Sequence, residues 1–274
     1  LASLTVYSGQ NDGGPSRQSQ DQTWAAIHDA ADGTNALDNP GNGDWNFAVL
    51  RGSATTNQWS EMHRSCFLFD TSALGAGAII SAATFSVYVT GQNTALTISY
   101  SLVDVNPASN TAIVVGDYTF GVEIGSTKQS DTSITDAGIT TSAYNDWALN
   151  ATGITSIAKT GITKFGVITE PDRANTAPTW GNLAMSRIYG NFFGVTNNPK
   201  LVITYTVGSS SPSVSPSLSP SSSPSVSPSV SPSLSPSSSP SASPSPSISP
   251  STSPSVSPSM SPSASPSVSP SVSP

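Results

Sequence analysis

Only one cysteine, Cys66, occurs in 274 residues, so no disulfide can close within the chain and the fold must rest on its own core. Cys66 lies inside the apolar run Cys66-Phe67-Leu68-Phe69, where it reads as a small buried hydrophobe and not as a reactive thiol. Charge is scarce as well. Nine Lys and Arg stand against 16 Asp and Glu, a net −7 with His neutral. The cations are scattered, which argues against nucleic acid and against anionic membrane surfaces as partners. Nowhere does an apolar stretch approach the ~18 residues of a membrane span, so no membrane insertion is expected. The two histidines, His28 and His63, stand in neither an H-x-H nor an H-x-x-x-H spacing, and no G-x-S-x-G elbow accompanies the many serines.

What is present falls into two materials. Residues 1–207 hold all 25 charged side chains, whereas 208–274 hold none of them and 17 of the 23 prolines. The break falls at Val207-Gly208-Ser209. From Pro212 onward a proline returns every fourth residue as Ser-Pro-Ser-x, with one slip at Pro244-Ser245-Pro246. Dense proline blocks helix and sheet ladders alike, and the isolated Val, Leu, Ile, Ala and Met between the serines cannot assemble a core. This tail is expected to be disordered and extended, at most ~3.1 Å per residue, a stalk or linker on the order of 100–200 Å long. Its abundant hydroxyls also suit an O-glycosylated stalk. The chain opens at Leu1-Ala2-Ser3 and closes inside the repeat at Pro274, which reads as a fragment whose partner is the remainder of a larger polypeptide.

The first 207 residues read as strands and turns. Phe67 and Phe69 fall on one face of an extended segment and Cys66 and Leu68 on the other, which predicts a central strand covered on both sides. Asp70-Thr71-Ser72 stops it, through short side-chain oxygens that bond nearby backbone N–H groups. Ala83, Phe85, Val87 and Val89 then alternate with Thr84, Ser86 and Tyr88, the pattern of a strand with one wet face. Further strands are expected at 3–7, 46–51, 94–103, 113–115, 120–124, 144–149, 163–169, 185–189 and 199–206; within 23–31 a helix face made by Trp24, Ile27 and Ala31 competes with a short strand at 23–27, and the strand is favoured because the rest of the domain is β. Residues 10–22, 32–44, 55–61 and 170–182 read as loops. Thr152 is the expected cap of one helical turn running to Ile157. Many short strands without a long amphipathic helix predict an all-β, jelly-roll-like antiparallel β-sandwich.

Arg64-x-x-x-Leu68-Phe69-Asp70-Thr71-Ser72, the strand Ile80-Ser81-Ala82-Ala83-Thr84-Phe85-Ser86-Val87-Tyr88, Trp147…Thr152…Ile157, Lys164-Phe165-Gly166-Val167-Ile168 and the closing Pro199-Lys200-Leu201-Val202-Ile203-Thr204-Tyr205 together resemble the DNRLRE, or disaggregatase-related, β-sandwich family. The resemblance spans about residues 1–207 and rests on core and turn positions, so it speaks to fold more than to function. It implies a non-catalytic module akin to carbohydrate-binding modules, of the kind carried by secreted, cell-surface and phage-encoded proteins. It also assigns Trp147 to the core. The loops at 32–44 and 170–182 depart from the family pattern.

Three tryptophans sit among polar neighbours: Trp45 in Gly-Asp-Trp-Asn, Trp59 in Asn-Gln-Trp-Ser-Glu and Trp180 in Pro-Thr-Trp-Gly-Asn. An exposed indole flanked by amides and carboxylates is the chemistry of a sugar platform; the competing role for each ring is to plug an end of the sandwich. Asp29, Asp32, Asp38 and Asp44, with nearby Asn and Gly, make an oxygen-rich stretch of the kind that suits Ca²⁺, although EF-hand spacing is absent; otherwise no cofactor is expected. Glu61, Asp70, Asp146, Glu170 and Asp172 are the acids from which a glycan-cleaving pair would have to be drawn. Arg64 reads as a structural ion-pair partner of a nearby acid. The expectation is therefore a non-enzymatic attachment or display module on a secreted, cell-surface or virion protein, with a polysaccharide or surface glycan as its ligand. A purely structural sandwich and a polysaccharide-cleaving enzyme are the alternatives.

Overall fold

The computed structural model describes residues 1–208 apart from 10, 39–42, 120–126, 193 and 195. The Ser-Pro tail beyond Gly208 and the strand expected at 120–124 lie outside the described residues. In chain order the strands are β1 (Ala2–Tyr7), β2 (Gly13–Arg17), β3 (Asn35–Asp38), β4 (Trp45–Gly52), β5 (Trp59–His63), β6 (Phe67–Asp70), β7 (Ala78–Val89), β8 (Gly91–Thr94), β9 (Ser99–Asp104), β10 (Ile134–Thr135), β11 (Ala143–Ala148), β12 (Ile162–Thr169), β13 (Met185–Gly190) and β14 (Lys200–Val207). They form three antiparallel sheets, ordered β1-β14-β7-β11, β10-β9-β12-β6 and β3-β2-β5-β4-β13-β8. The fold is the expected all-β antiparallel sandwich.

One layer is the sheet built around β7. It turns Ala83, Phe85, Val87 and Val89 inward, with Leu201 and Ile203 of β14 and Trp147 of β11 beside them. The other two sheets supply the facing side chains: Phe67, Phe69, Tyr100, Leu102, Phe165 and Val167 from one, Phe47, Ala48, Leu50, Met62 and Ile188 from the other. Aromatic rings fill the middle. Phe67 meets Phe47, Phe85 and Phe192 at centroid separations of 5.6, 5.3 and 5.1 Å. Burying each such ring contributes roughly 1.5–3 kcal/mol.

β6 has the two covered faces that its sequence requires. Phe67 and Phe69 join the main core, while Cys66 and Leu68 join a second cluster with Val103, Val105, Ile113 and Ile168. It is not central, however, but the outermost strand of its ladder. Its far edge is closed by a bridge between Gly13 and Cys66 and by the Asp12 carboxylate, whose Oδ1 accepts from the Leu68 N–H at 2.7 Å. That bridge also joins the two sheets of the second layer. Asp70 ends the strand by accepting from the Ser72 N–H at 3.0 Å, as its sequence predicts.

Several local expectations are corrected. Residues 24–28 form a helical turn, not a strand: Thr23 Oγ1 caps it by accepting from Ala26 N, and Ile27 and His28 are buried on one face. Gly13-Gly14-Pro15 is strand and not loop, because absence of side chains lets the backbone close on its neighbours; a Cβ on Gly14 would stand 2.1 Å from the Arg64 carbonyl. The run 94–103 is broken by a turn with Thr97 at φ +50°, so β8 and β9 belong to different sheets, yet Leu96, Ile98, Tyr100 and Leu102 are all buried as their alternation requires. Ile113 is buried without forming a strand, and Val115–Thr119 is a 3₁₀ turn. The helical turn Ala151–Thr155 is capped by Asn150, whose Oδ1 accepts from Gly153 N at 2.9 Å, and not by Thr152. Within 170–182, Glu170–Arg173 is helical.

Behind these elements lies a fully buried ion pair. Arg64 donates through Nε to Asp172 Oδ2 at 2.8 Å and through Nη2 to Asp172 Oδ1 at 2.7 Å. Its remaining donors reach the carbonyls of Tyr118 and His28, and its guanidinium lies 4.0 Å from the Tyr118 ring centroid. Burial alone would lower the Arg64 pKa; the Asp172 carboxylate outweighs that and raises it. His28 donates through Nε2 to the Asp172 carbonyl at 2.8 Å, and its ring stacks with Trp24 at 5.7 Å. The expected structural role of Arg64 is observed.

Asp172→Ala strands the Arg64 cation and is expected to cost about 3–5 kcal/mol in urea denaturation, whereas the double variant Arg64→Met/Asp172→Leu recovers much of that loss. Asp12 gives a second test. Its Oδ2 has no hydrogen-bond partner among the described residues, and burial pushes its pKa well above the usual carboxylate value. A raised folded pKa means stability held below the unfolded value and lost as pH rises. Asp12→Asn, which keeps the acceptor, should therefore match the parent near pH 4 and exceed it increasingly toward pH 7. Asp12→Ala orphans the Leu68 N–H and should lose about 1–3 kcal/mol at pH 4.

Candidate functional site

The six-stranded sheet carries a row of side chains on its outer face, fixed by register. Ser16 pairs with Asn35 on one side and with His63 on the other. His63 pairs with Val49, Val49 with Arg187, and Arg187 with Asn93. Directly paired residues of antiparallel strands share a face, so these six form one line across all six strands. Alternation sends Met62, Leu50 and Ile188 to the other side, where they are buried in the core. A bulge between Ile188 and Tyr189 shifts the register by one, so Asn46 pairs with Tyr189 and Phe47 is left free to turn inward.

Above this row lies a cleft of about 230 Å³, lined by Gly14, Ser16, Gln18, Asn35, Leu37, Trp45, Asn46, His63 and Arg64. That is smaller than the roughly 300 Å³ lower bound of drug-sized pockets, and suits one small polar unit at a time. Trp45 stands at its mouth, 37 % exposed. Gly43, at φ +149°, lets the chain turn beneath the indole; a Cβ there would stand 3.0 Å from Trp45 Nε1. The amides of Gln18, Asn35 and Asn46 supply both donors and acceptors.

His63 forms part of the wall. Its Nε2 is buried without a hydrogen-bond partner among the described residues, 3.9 Å from Glu61 Oε2. Burial first, and the positive charge of Arg187 second, bring its pKa down to about 4. At neutral pH it is an uncharged imidazole.

The three candidate tryptophans do not come together. Trp45 opens β4. Trp180 stands over Gly52 at the far end of that eight-residue strand, roughly 23 Å away at ~3.3 Å per residue. Trp180 is half-buried and donates through Nε1 to the Gln58 carbonyl at 3.1 Å. Trp59 is corrected outright. It begins β5 instead of sitting in a loop, is 2 % exposed, and packs edge-on against Trp24 at 5.4 Å. A register shift between Arg51 and Gly52 interrupts the alternation of β5, so the indole turns into the core although Glu61 and His63 face outward. Trp147 occupies the core position expected of it and donates to the Tyr100 carbonyl at 3.3 Å.

The calcium candidates likewise separate. Asp29 bonds His28, the Asp32 carbonyl accepts from Arg17, Asp38 accepts from the Ile113 N–H, and Asp44 accepts from Thr90. Among the described residues no group of three or more His, Cys, Asp or Glu side chains assembles for a metal. The carboxylates of Asp29, Asp38 and Asp44 instead serve three different partners, and Asp32 is bound through its backbone carbonyl. Three of the five acids considered for glycan cleavage are separately engaged. Glu61 pairs with Arg51 at 3.0 Å and Asp172 with Arg64. Glu170 is held by Arg173, Lys128 and Ser101. Partial burial would raise the Glu170 pKa, but those bonds outweigh it and bring it to about 2, so it carries no proton for a leaving group at neutral pH.

Ser16, Asn35, His63, Arg187 and Asn93 carry no sequence signal as a group, because register alone assembles them. No protein-family model matches the chain, and no curated protein matches it. Among the described residues no helix is long and apolar enough to cross a membrane.

The depressed His63 pKa makes a measurable demand. The unfolded imidazole takes up its proton near pH 6.5 and the folded one near pH 4, so stability falls as pH drops through that window. The difference corresponds to about 3 kcal/mol. His63→Gln should flatten the stability profile between those two values relative to the parent, and the His63 ring resonances should titrate near pH 4 in NMR.

Proposed function

We propose that the outer face of the six-stranded sheet is a glycan-binding surface, and that the chain is a non-catalytic attachment or display module of a secreted, cell-surface or virion protein. The observation that carries this reading is the Trp45 indole exposed beside a cleft whose mainly apolar wall carries the polar groups of Ser16, Gln18, Asn35, Asn46 and His63. Sugar rings have apolar C–H faces and equatorial hydroxyls. A flat aromatic side chain covers the first, and bidentate amides answer the second. The Asn35 amide is exposed and has no side-chain hydrogen-bond partner among the described residues, so it is open to a ligand. Kinship with the DNRLRE β-sandwiches belongs to the same proposal, as does the Ser-Pro tail acting as a spacer that holds the head away from its anchor.

The reading gives the three tryptophans different roles. Trp45 is the platform, Trp59 belongs to the core, and Trp180 closes the end of the sandwich. In a glycan-array screen of the full chain followed by titration calorimetry on the best hit, Trp45→Ala should weaken binding at least about tenfold. Trp180→Phe should leave affinity within about twofold, because it keeps an aromatic plug far from the cleft. Trp59→Ala should report in thermal unfolding, with a loss of about 3–5 kcal/mol. An array with no hits above background would sink the glycan reading and leave a purely structural sandwich.

A further inference from the structure

Among the described residues Arg187 shares with Arg17, Lys159, Lys164 and Lys200 the lack of a carboxylate within 4.0 Å, but it is the one of these five whose side chain bonds a residue of the cleft wall. Arg51, Arg64 and Arg173 each face a carboxylate, those of Glu61, Asp172 and Glu170. Arg17 is occupied by the Asp32 carbonyl and the side chains of Gln20 and Gln22. Arg187 is half-buried, and among the described residues no carboxylate lies within 4.0 Å of it. What holds it is neutral. Its Nε donates to Asn93 Oδ1 at 2.7 Å, its Nη1 to Asn46 Oδ1 at 3.4 Å, and its guanidinium lies 4.7 Å from the Tyr189 ring centroid. All three contacts come from residues on the same outer face as the cleft, and Asn46 itself lines the cleft. The guanidinium is therefore stretched along the sheet and brought up to the cleft wall, with its charge uncompensated.

We propose that this arginine makes the cleft a receptor for acidic sugars: Arg187 takes the carboxylate of a uronic acid unit whose neighbouring ring lies against Trp45. The inference rests on the glycan reading of the cleft and adds the charge class of the ligand. A planar fork already fixed by Asn93 and Tyr189 loses little freedom when it accepts a carboxylate bidentately. A single uncompensated cation among amides fits one negative charge per sugar. A polyphosphate or heavily sulfated chain would call for several, and the net charge of −7 repels polyanions at long range. His63 stays neutral beside Arg187 and so offers a hydrogen bond without adding a second charge.

The test uses the full chain, in titration calorimetry at low salt, against trimers of galacturonate, mannuronate and guluronate, their methyl esters as neutral isosteres, and polyglutamate as charge without a sugar ring. At least one acid trimer should bind about tenfold more tightly than its ester, with the preference shrinking as salt rises. Arg187→Gln should bring the acid-to-ester ratio close to one while ester binding stays within about twofold. Arg187→Lys, which keeps charge and loses the fork, should retain only part of the preference. Thermal unfolding of both variants guards against a folding defect. Equal, Trp45-dependent binding of acids and esters would overturn the inference and leave the glycan reading standing. So would an undiminished preference in Arg187→Gln, or polyglutamate binding as tightly as the best trimer. Absence of any Trp45-dependent binding, acid or ester, would overturn both.

Discussion

The buried Arg64–Asp172 pair is the constraint on which the rest of the domain depends. A cation and an anion taken wholly out of water each cost several kcal/mol, and attraction between them repays that only with excellent geometry and with every remaining donor satisfied. Here the geometry is bidentate, and the leftover donors find the carbonyls of His28 and Tyr118. Those partners come from segments that share no strand ladder with one another: the helical turns at 24–28 and 170–173 and the 3₁₀ turn at 115–119. Hydrophobic packing alone would let such short pieces slide. A guanidinium with fixed donor directions does not, so the pair sets where irregular chain meets regular sheet.

The same residue shapes the outer face. Arg64 follows directly on β5, and its carbonyl stands where only a glycine at position 14 can approach. That approach brings β2 against the end of β5 and forms the floor of the cleft. Next to it, the Gly13–Cys66 bridge and the Asp12 carboxylate join β6 to the six-stranded sheet, so the second layer of the sandwich is two sheets acting as one wall. An arginine in the core and a glycine pair in a strand thus belong to one arrangement.

How much of this was legible in the sequence follows from the range over which each feature is determined. The strands of β6, β7, β12 and β14 were readable because alternation is local and their inner faces are large apolar residues such as Phe67, Phe85, Phe165 and Leu201. The stop at Asp70 was readable because it too is local, while the core role of Trp147 came from the resemblance to the DNRLRE pattern and not from its own neighbours. β2 was not, since Gly-Gly-Pro is ordinarily a turn signal and becomes strand here only through close backbone contacts made 50 residues away, at Arg64 and Cys66. Trp59 misled because its neighbours are polar on both sides, which is also what a strand with one wet face looks like. The candidate site was legible only in Trp45. Its other walls come from β2, β3 and β5, and His63 and Arg187 are neighbours only because two intervening pairings are in register.

That register explains why charge on this face is arranged as it is. Arg51 and Glu61 pair across β4 and β5 and cancel one another one step along the sheet from the row of Ser16, His63 and Arg187. Within the row the only titratable neighbour of Arg187 is an imidazole, and the two cannot both be charged cheaply in a half-buried setting, so the proton leaves the weaker base. The consequence is a surface with hydrogen-bonding capacity in every direction but one fixed positive charge. Asn46 and Asn93 support this, since an Asp at either place would neutralise the arginine with an intramolecular pair and remove its reason to look outward. An acidic domain that braces Arg187 with amides, and sets no carboxylate within 4.0 Å of it among the described residues, leaves an uncompensated positive charge on the face that carries Trp45. That charge is what would orient a weakly anionic chain onto the Trp45 end of the sheet.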